Sequence, residues 1–353
     1  MDLLRVDPYH TFHPHDFRPD VTHITEHVRY LRGALGTKPL RVWTQDFVWP
    51  EFSRTLTAAD GRWTAILPVA LGAEACTPYA YPLMQELPEV AAAYVDSFRL
   101  DPHYAGASPV RHVAVVQGWQ TKTWRLTEMR NGRAQYDVSY FRPACAALRR
   151  EHVVYDHLWD RRLAPEHLAG YGALLLPRVS CLSAGQAEAL DGFGGGVVFT
   201  SDTGCYDEEG RTAGRQAFAD IVRVGEERQF GGLMVQAPDH PLMAGLPQGL
   251  LPVRTSGFVA EPRGAARTLA TFADAEGRDT GLPAVLAVDG PRRAVYMAFE
   301  PLQARTWDVA LVSRRAMAAH LTALYVGAVR WAAGGESIVA VEEPASPGVE
   351  LMV

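Results

Sequence analysis

The sequence predicts an α/β fold in which parallel strands alternate with helices. The clearest observation is the stretch Tyr171–Gly210, which reads as strand, turn, helix, glycine-rich turn and strand. Residues 1–105 alternate short apolar runs with helix-like segments in the same way, and successive β-α units of this length indicate parallel strands joined by crossovers. Composition agrees, because 353 residues with 48% hydrophobic and 21% charged side chains are typical of a globular chain long enough for two domains.

Three β-α units are predicted in the first hundred residues. The strands are an apolar run closed by Asp7 and Pro8, the segment KPLRVWTQDF and the segment GAEACTPYAY. Apolar residues at helical spacing predict the helices that follow, at residues 23–35, 63–71 and 88–98.

A second α/β series follows the Pro- and Gly-containing segment DPHYAGASPVR, which predicts a domain boundary. A terminal hairpin is expected to turn at Asp289-Gly290-Pro291, and a long helix over 313–333 is expected to end at Gly334-Gly335. The other predicted strands are HVAVVQ, HVVYDHL, ALLLP and GGVVFTS, with a helix over 140–149.

Charge and cysteine content narrow the class of function. The formal net charge is -6 with both signs mixed along the chain, so no nucleic-acid partner is expected. No apolar run is long enough to cross a bilayer, so no membrane partner is expected. The four cysteines form no Cys-x-x-Cys pair, which indicates neither a zinc site nor a disulfide framework and favours a reducing, cytoplasmic compartment. No cofactor is predicted.

The second series resembles the class I glutamine amidotransferase-like domain of family 42 β-galactosidases, where it serves as a trimerisation domain. The matching segments are YGALLLPRVSCLSAGQAEAL, GGGVVFTSDTGCYDEEGR, DHPLMAGLP and RAVYMAFEP, followed by a helix ending AVRWAAGG. The first series resembles the last three β-α units of the (β/α)₈ barrel that precedes this domain in those enzymes. We expect the chain to be truncated at both ends, since the tail after Gly335 resembles the entry to a further β domain.

This resemblance implies the fold class and the domain organisation. The expected fold is the C-terminal part of a (β/α)₈ barrel in residues 1–107, followed by a flavodoxin-like, amidotransferase-like α/β domain in residues 108–335. Residues 336–353 are expected to be a linker and the start of a missing β domain. The implied function is that of a β-galactosidase-like glycoside hydrolase, with a carbohydrate substrate and a homo-oligomer, a trimer by resemblance. The alternative is a non-enzymatic binding or oligomerisation module derived from such an enzyme.

The catalytic carboxylates of a retaining glycosidase stand about 5 Å apart, one acting as acid and one as nucleophile. In the resembled family the nucleophilic Glu ends the seventh strand, where this sequence has Thr44. Asp46 lies two residues further on, on the same side of an extended strand as Thr44. Asp46 is therefore the candidate catalytic residue. The alternative is a strand-end Asp that accepts hydrogen bonds from loop amides.

Polar and aromatic residues follow each of the three strands, and ligands of parallel α/β folds collect at the carboxyl ends of strands. Aspartate binds sugar hydroxyls and aromatic rings stack on pyranoses, so a substrate-binding role is predicted; Trp49 offers a further ring. The alternative is an aromatic-rich rim that packs on the second domain. The predicted substrate-binding residues are Asp7, Tyr9, Trp43, Gln45, Tyr79 and Tyr81.

Two other kinds of chemistry are not expected. His10, His13 and His15 lie in a Pro-containing loop rather than on one helix face, so no metal site is predicted. Glutaminase activity needs a thiolate at a strand-to-helix turn with a His and an acid behind it, but the turn after GGVVFT begins at Ser201. Cys205 lies several residues later and is expected to be inert.

Two further segments complete the predictions. The stretch from Trp119 through Trp124 to Arg133 is predicted to be a long polar loop that reaches the barrel rim or a neighbouring subunit. His240 is predicted to be structural, with Asp239 capping the turn that follows.

Overall fold

The computed structural model describes residues 4–6, 22–45, 55–79, 86–104, 110–124, 127–130, 133–136, 140–303 and 311–335. These residues fall into two compact units, one within residues 1–110 and the other within residues 111–351. Each unit has its own sheet and its own hydrophobic core.

The first unit contains a three-stranded sheet. Its strands are β1 (Leu4–Val6), β2 (Leu40–Thr44) and β3 (Ala75–Pro78). They lie in the order β1-β2-β3 and both pairings are parallel, which confirms the prediction of three neighbouring parallel strands.

Helices connect and follow these strands, and they pack on one face of the sheet. Leu40 and Val42 of β2 are fully buried against Ile24, Val28 and Leu67 of the first two helices. The helices are α1 (Thr22–Leu35), α2 (Ala58–Ala70), α3 (Pro88–Ser97) and the short α4 (Asp101–Tyr104).

Local sequence explains how α2 begins and how closely α3 approaches it. The Thr57 hydroxyl accepts a hydrogen bond from the Asp60 amide, while the Asp60 carboxylate accepts one from the Thr57 amide, so both form a capping box. An added Cβ at Gly61 would lie 2.4 Å from the carbonyl oxygen of Val90 on α3. Glycine at this position therefore permits the close contact between the two helices.

The second unit has a nine-stranded mixed sheet and two separate two-stranded ribbons. Its strands, in chain order, are β4 (Val113–Gln117), β5 (Thr127–Arg130), β6 (Arg133–Tyr136), β7 (Tyr155–Trp159), β8 (Ala173–Leu176), β9 (Gly196–Thr200), β10 (Val222–Phe230), β11 (Gly232–Val235), β12 (Leu250–Leu251), β13 (Thr255–Pro262), β14 (Arg267–Ala273), β15 (Asp279–Val288) and β16 (Ala294–Met297).

The large sheet has the order β12-β11-β14-β15-β16-β9-β8-β4-β7. The five strands from β16 to β7 are parallel, and their carboxyl ends therefore lie at one edge. The strands from β12 to β15 extend this sheet in antiparallel fashion, and β15 and β16 form the predicted late hairpin.

The helices of the second unit pack on this sheet. The last helix is the long one predicted from the sequence, and an added Cβ at Gly196 of β9 would lie 2.1 Å from the carbonyl oxygen of Ala332 near its end. Beyond this helix Gly334 and Gly335 both adopt positive φ, as expected for a C-terminal cap. The helices are α5 (Trp119–Trp124), α6 (Phe141–Arg150), α7 (Pro165–Leu168), α8 (Ala184–Asp191) and α9 (Leu311–Ala332).

Two parts of this unit differ from the sequence prediction. The segment predicted as a long loop starts with helix α5 and continues into the antiparallel ribbon of β5 and β6, so that prediction was wrong. The sequence does contain a signal for this ribbon, which the prediction overlooked. It is the Asn131-Gly132 pair between the two strands, which is typical of a two-residue hairpin turn. The strands β10 to β14 were also not predicted. For β10 the reason is that the strand is mostly exposed and lacks a continuous apolar run.

Among the described residues, no helix is long and apolar enough to span a membrane.

Candidate functional site

The carboxyl ends of β2 and β3 carry three of the residues predicted to bind substrate. Trp43 is the penultimate residue of β2, Gln45 directly follows that strand, and Tyr79 directly follows β3. The other predicted residues of this site lie outside the described part of the chain, as do the three histidines of the rejected metal site. The residues outside are Asp7, Tyr9, Asp46, Tyr81, Trp49, His10, His13 and His15.

Two aromatic rings meet at this edge. The ring centres of Trp43 and Tyr79 are 5.6 Å apart and the ring planes are inclined at 68°, which is an edge-to-face contact. The Tyr79 amide donates a 3.0 Å hydrogen bond to the Thr44 carbonyl and fixes the position of its backbone beside β2. Tyr79 is 51% exposed and Trp43 is half-buried, so solvent reaches both residues.

Strand alternation separates Trp43 from Thr44. Leu40 and Val42 are buried against helices α1 and α2, and Thr44 continues this buried row. Arg41 and Trp43 alternate with that row and are more exposed, so they face away from the helices. The hydroxyl of Thr44, at the position where the resemblance expects a nucleophile, makes a long 3.5 Å contact with the Thr77 carbonyl.

The second unit brings polar side chains together at the carboxyl ends of β8, β9 and β16. We call this group the Arg178 cluster; its members are Arg178, Ser180, Thr200, Ser201, Asp202 and Glu300. The four members other than Arg178 and Glu300 are almost completely buried. The cluster occupies the turn at which an amidotransferase-like enzyme would carry its nucleophile.

Ser201 stands at this turn in a strained conformation. Its φ of 54° is left-handed, which is uncommon for a residue with a side chain. Its amide donates to the Met297 carbonyl, and Tyr296 donates a hydroxyl hydrogen bond to the Ser201 carbonyl. Its own hydroxyl donates to a Glu300 oxygen at 2.8 Å, and Thr200 donates to the same oxygen at 2.5 Å.

Glu300 is the carboxyl group with the most perturbed acidity in this cluster. Burial raises its pKa to about 7, although the hydrogen bonds from Thr200 and Ser201 and the charge of Arg178 oppose the shift. Part of the residue remains exposed to solvent, so the shift reflects the surroundings of the carboxylate rather than complete enclosure of the residue. Glu300 is therefore partly protonated at neutral pH.

Arg178 neutralises the acidic side of the cluster. Its Nε lies 3.1 Å from an Asp202 oxygen that also accepts a 2.6 Å hydrogen bond from Ser180. Its other nitrogens donate to the Tyr140 hydroxyl at 2.8 Å and lie 3.8 Å from Glu227. Burial alone would disfavour its charge, but these neighbours outweigh that effect and raise the pKa of Arg178.

The residues of this cluster differ from the set that glutaminase chemistry requires. The residue at the turn has a hydroxyl instead of a thiolate, and that hydroxyl is bonded to a carboxylate instead of an imidazole. Cys205 is buried, and its amide donates to the Asp202 carbonyl. The residue types and hydrogen bonds thus provide no activated sulfur at this position.

His240 has a structural position, but the predicted capping residue was wrong. The Nδ1 atom of His240 itself accepts a 3.2 Å hydrogen bond from the Leu242 amide, at the start of a short 3₁₀ helix. Its Nε2 atom lies 3.4 Å from Asp289. One imidazole nitrogen can thus accept a hydrogen bond from Leu242 while the other donates one to Asp289. The residue that caps the 3₁₀ helix is therefore His240 rather than Asp239.

Sequence reasoning did not identify Arg178, Ser180 and Glu300 as partners. One signal was available, because Arg178 comes directly after Pro177 at the end of β8 and Glu300 follows the predicted strand RAVYMAF. Both positions are carboxyl ends of predicted parallel strands, where polar side chains gather. The order of the strands was not derivable from the sequence, so their proximity was not predicted.

No protein-family model and no curated protein matches this sequence. Solved structures are similar to it in fold. One is the β-galactosidase from Rahnella sp. R3, at 17% identity and a TM-score of 0.69. The match covers 94% of this chain and 50% of the enzyme. The β-galactosidase from Bacillus circulans sp. alkalophilus matches 97% of this chain with 51% of its own, at 16% identity and a TM-score of 0.69.

A third similar structure is a catalytic mutant of Gan42B, a GH42 β-galactosidase from G. stearothermophilus. It matches 86% of this chain with 47% of its own length, at 14% identity and a TM-score of 0.64. The chain therefore spans about half the length of these solved enzymes. At these identities the likeness establishes a mixed α/β, GH42-like glycoside hydrolase fold.

Proposed function

We propose that this chain is part of a glycoside hydrolase that acts on β-galactosides or related β-glycosides. The observation that carries the proposal is that the fold of one β-galactosidase matches 94% of the chain with a TM-score of 0.69. The accessible aromatic pair of Trp43 and Tyr79 at neighbouring strand ends supports a carbohydrate substrate, because indole and phenol rings stack on pyranose faces. Gln45 is only 2% exposed, so its proposed hydrogen bonds to sugar hydroxyls would require its neighbours to move.

The assignment of the two units is part of this proposal. Residues 1–107 would be the last three β-α units of a barrel, residues 108–335 a flavodoxin-like, amidotransferase-like domain and residues 336–353 the entry to a β domain. The order β7-β4-β8-β9-β16 of the parallel strands supports the flavodoxin-like part, since chain order then runs 2-1-3-4-5 across the sheet. The internally bonded Arg178 cluster supports a domain without its own catalysis. Its proposed role is assembly into a trimer, as the resemblance implies.

In the intact site, Asp46 would have the catalytic role and Asp7, Tyr9 and Tyr81 would join the substrate contacts. A specific observation favours a second candidate, a non-enzymatic binding or oligomerisation module. Thr44 stands where the resemblance expects the nucleophilic Glu, and it belongs to the buried row that packs on the helices. A chain without that carboxylate can keep the fold and the sugar contacts and still lack hydrolysis.

Hydrolysis of a nitrophenyl β-galactoside tests the proposal. We expect the chain, extended upstream by any adjoining β-α units that its coding region encodes, to release nitrophenol. Substitution Asp46→Asn is expected to reduce kcat by at least about 100-fold if that carboxylate takes part in general acid–base or nucleophilic chemistry. Failure of both the chain and its extended version to hydrolyse any β-glycoside would leave the binding module as the function.

Sugar contact is tested separately from hydrolysis. Trp43→Ala is expected to weaken galactoside binding by roughly tenfold, since stacking on an aromatic ring contributes about 1 kcal/mol or more. Trp63→Ala is the matched control, because Trp63 is also partly exposed but lies on the outer helix α2. Equal affinities of the two variants would remove the aromatic pair from the substrate site.

A further inference from the structure

The carboxyl end of β4 contains two buried amide oxygens without a hydrogen-bond partner. Gln117 is the last residue of β4 and is 6% exposed, and its Oε1 atom is buried and unpaired within the described part of the chain. The Oε1 atom of Gln120, three residues later, is buried and unpaired in the same way. A buried acceptor without a donor costs roughly 1–3 kcal/mol, so two of them at one strand end need a physical reason.

The position of these oxygens in the sheet suggests that reason. β4 lies between β7 and β8, and the chain moves from β4 to β7 on one side and then to β8 on the other. In open parallel sheets, ligands bind beyond the carboxyl ends of the strands at the point where the direction of winding reverses. Gln117 is the carboxyl-terminal residue of this strand.

Two stacked tryptophan rings lie at the same strand end. Trp159 is the register partner of Gln117 on β7, and its ring is stacked on Trp119 with ring centres 5.5 Å apart and planes within 3° of parallel. The buried carboxylate of Asp160 accepts a 2.8 Å hydrogen bond from the Gln120 amide, and Thr121 accepts a 2.9 Å hydrogen bond from the Cys181 amide. These bonds hold α5, which carries Gln120, in place, while the pairing of β4 with β7 fixes the Gln117 backbone.

The charges at this strand end select the class of ligand. Unpaired amide oxygens accept hydrogen bonds and thus attract donors rather than anions. The ammonium group of Lys122 lies 5.0 Å from the Trp119 ring centre, and burial together with the charge of Arg142 lowers the Lys122 pKa, so further positive charge is disfavoured here. The Asp160 carboxylate is already bonded to backbone amides. A neutral ligand with several hydroxyl donors and an apolar face satisfies all of these conditions.

We propose that the carboxyl end of β4 is a second carbohydrate-binding site, in which Gln117 and Gln120 accept hydrogen bonds from the hydroxyls of a neutral sugar held beside Trp119 and Trp159. The site lies in the unit to which the proposed function assigns no catalysis, and it does not depend on hydrolysis at the strand ends of the first unit. Because both oxygens are buried, binding includes a local opening of the side chains that cover them.

Ligand-induced thermal stabilisation of the full chain tests this site. Galactose, lactose and glucose are titrated separately, and the melting temperature and tryptophan fluorescence are recorded. At least one sugar is expected to raise the melting temperature saturably, since a ligand that binds the folded state stabilises it by mass action. Gln117→Met removes the acceptor while preserving side-chain volume. It is expected to raise the sugar concentration that gives half of the maximal shift by about tenfold or more.

Controls separate this site from general sugar effects and from the proposed function. Gln248→Met changes an exposed glutamine elsewhere in the unit. Because surface substitutions have small effects, its half-saturating sugar concentration is expected to stay within about twofold of that of the unmodified chain. Gln120→Met is the second variant if Gln117→Met does not fold. Trp63→Ala, in the first unit and outside both proposed sugar sites, is expected to keep the stabilisation, and a chain that hydrolyses nothing is expected to keep it too.

Two outcomes overturn the proposal. One is a melting temperature that rises with sugar equally in the unmodified chain and in both glutamine variants, which is the response to excluded solute. The other is no saturable shift with any of the sugars, which assigns the two amide oxygens to internal water.

Discussion

The strand ends of the two units carry polar side chains that are used in different ways. In the second unit, the Arg178 cluster joins three strand ends by hydrogen bonds and an ion pair among its own members. In the first unit, Trp43 and Tyr79 meet in an edge-to-face contact and remain accessible to solvent. Polar groups that satisfy one another stabilise a fold, whereas accessible aromatic faces are available to a ligand.

This difference separates stability from function along the chain. Substitutions in the Arg178 cluster should act mainly on the free energy of unfolding, and substitutions at Trp43 and Tyr79 mainly on ligand affinity. Each of the following measurements tests one side of that contrast.

The largest effect is expected for Arg178→Met. It removes the cation from Asp202, which is 2% exposed and keeps only neutral donors such as Ser180. Breaking a buried ion pair at one partner leaves an uncompensated charge and costs about 3 kcal/mol or more. Urea denaturation followed by tryptophan fluorescence measures this loss.

Arg211→Met is the matched control for Arg178→Met. Arg211 pairs with Glu209 at the surface of the same unit, and both side chains are largely exposed. Exposed pairs contribute about 0–1 kcal/mol, so little change is expected. A loss of similar size in both variants would mean that the Arg178 cluster is no more stabilising than a surface pair.

The next effect concerns the pH dependence of stability through Glu300. Burial raises its pKa from 4.5 to about 7 in the folded state, so folding favours the protonated form. The contribution of Glu300 to the free energy of unfolding is therefore fully present below about pH 4.5 and is lost as pH rises through about 7. Glu300→Gln remains neutral and should lack this component, with a difference on the order of 2 kcal/mol between pH 5 and pH 8.

Unfolding in urea at pH 5, 6, 7 and 8 measures that component. Glu188→Gln, at an exposed position of α8, serves as the control and should follow the unmodified chain at every pH. Parallel pH curves for the unmodified chain and Glu300→Gln would show that the carboxyl of Glu300 has the same pKa in both states.

The smallest change in stability is expected for Tyr79→Ala. Half of this residue is exposed, and its ring makes one edge-to-face contact with Trp43, which is worth about 1 kcal/mol. Its galactoside affinity should nevertheless fall by roughly the same factor as for Trp43→Ala, about tenfold. Isothermal titration calorimetry measures that affinity; unchanged affinity with large destabilisation would reverse the assigned roles of the two strand ends.

Much of the fold was predictable because its signals are local. The three parallel strands of the first unit and the parallel strands of the second follow apolar runs of strand length, and helix α8 follows a Ser183-Gln186 capping box that is visible in the sequence. The ribbon of β10 and β13 was missed because β10 exposes most of its residues and carries no buried run. Its strands are defined by pairing across more than twenty residues rather than by local pattern.

The candidate site was predictable only in part. Trp43, Gln45 and Tyr79 were identified because strand ends are recognisable from the sequence, and the structure places the Trp43 and Tyr79 rings in contact. Asp46 as a catalytic residue, and Asp7, Tyr9 and Tyr81 as substrate contacts, stay predictions. The link between Arg178 and Glu300 was not predictable, because 122 positions separate them in the sequence and no local pattern connects them.

The sequence by itself determined where the parallel strands and the longer helices form, because apolar periodicity and capping residues are local signals. It also determined the residue types, so that a hydroxyl rather than a thiol stands directly after β9. Only the tertiary structure decided which strand ends meet, that Glu300 accepts hydrogen bonds from the Thr200 and Ser201 hydroxyls, and that the Gln117 side-chain oxygen is buried without a donor among the described residues. These features depend on the order of strands in the sheet, which is set by packing between distant segments.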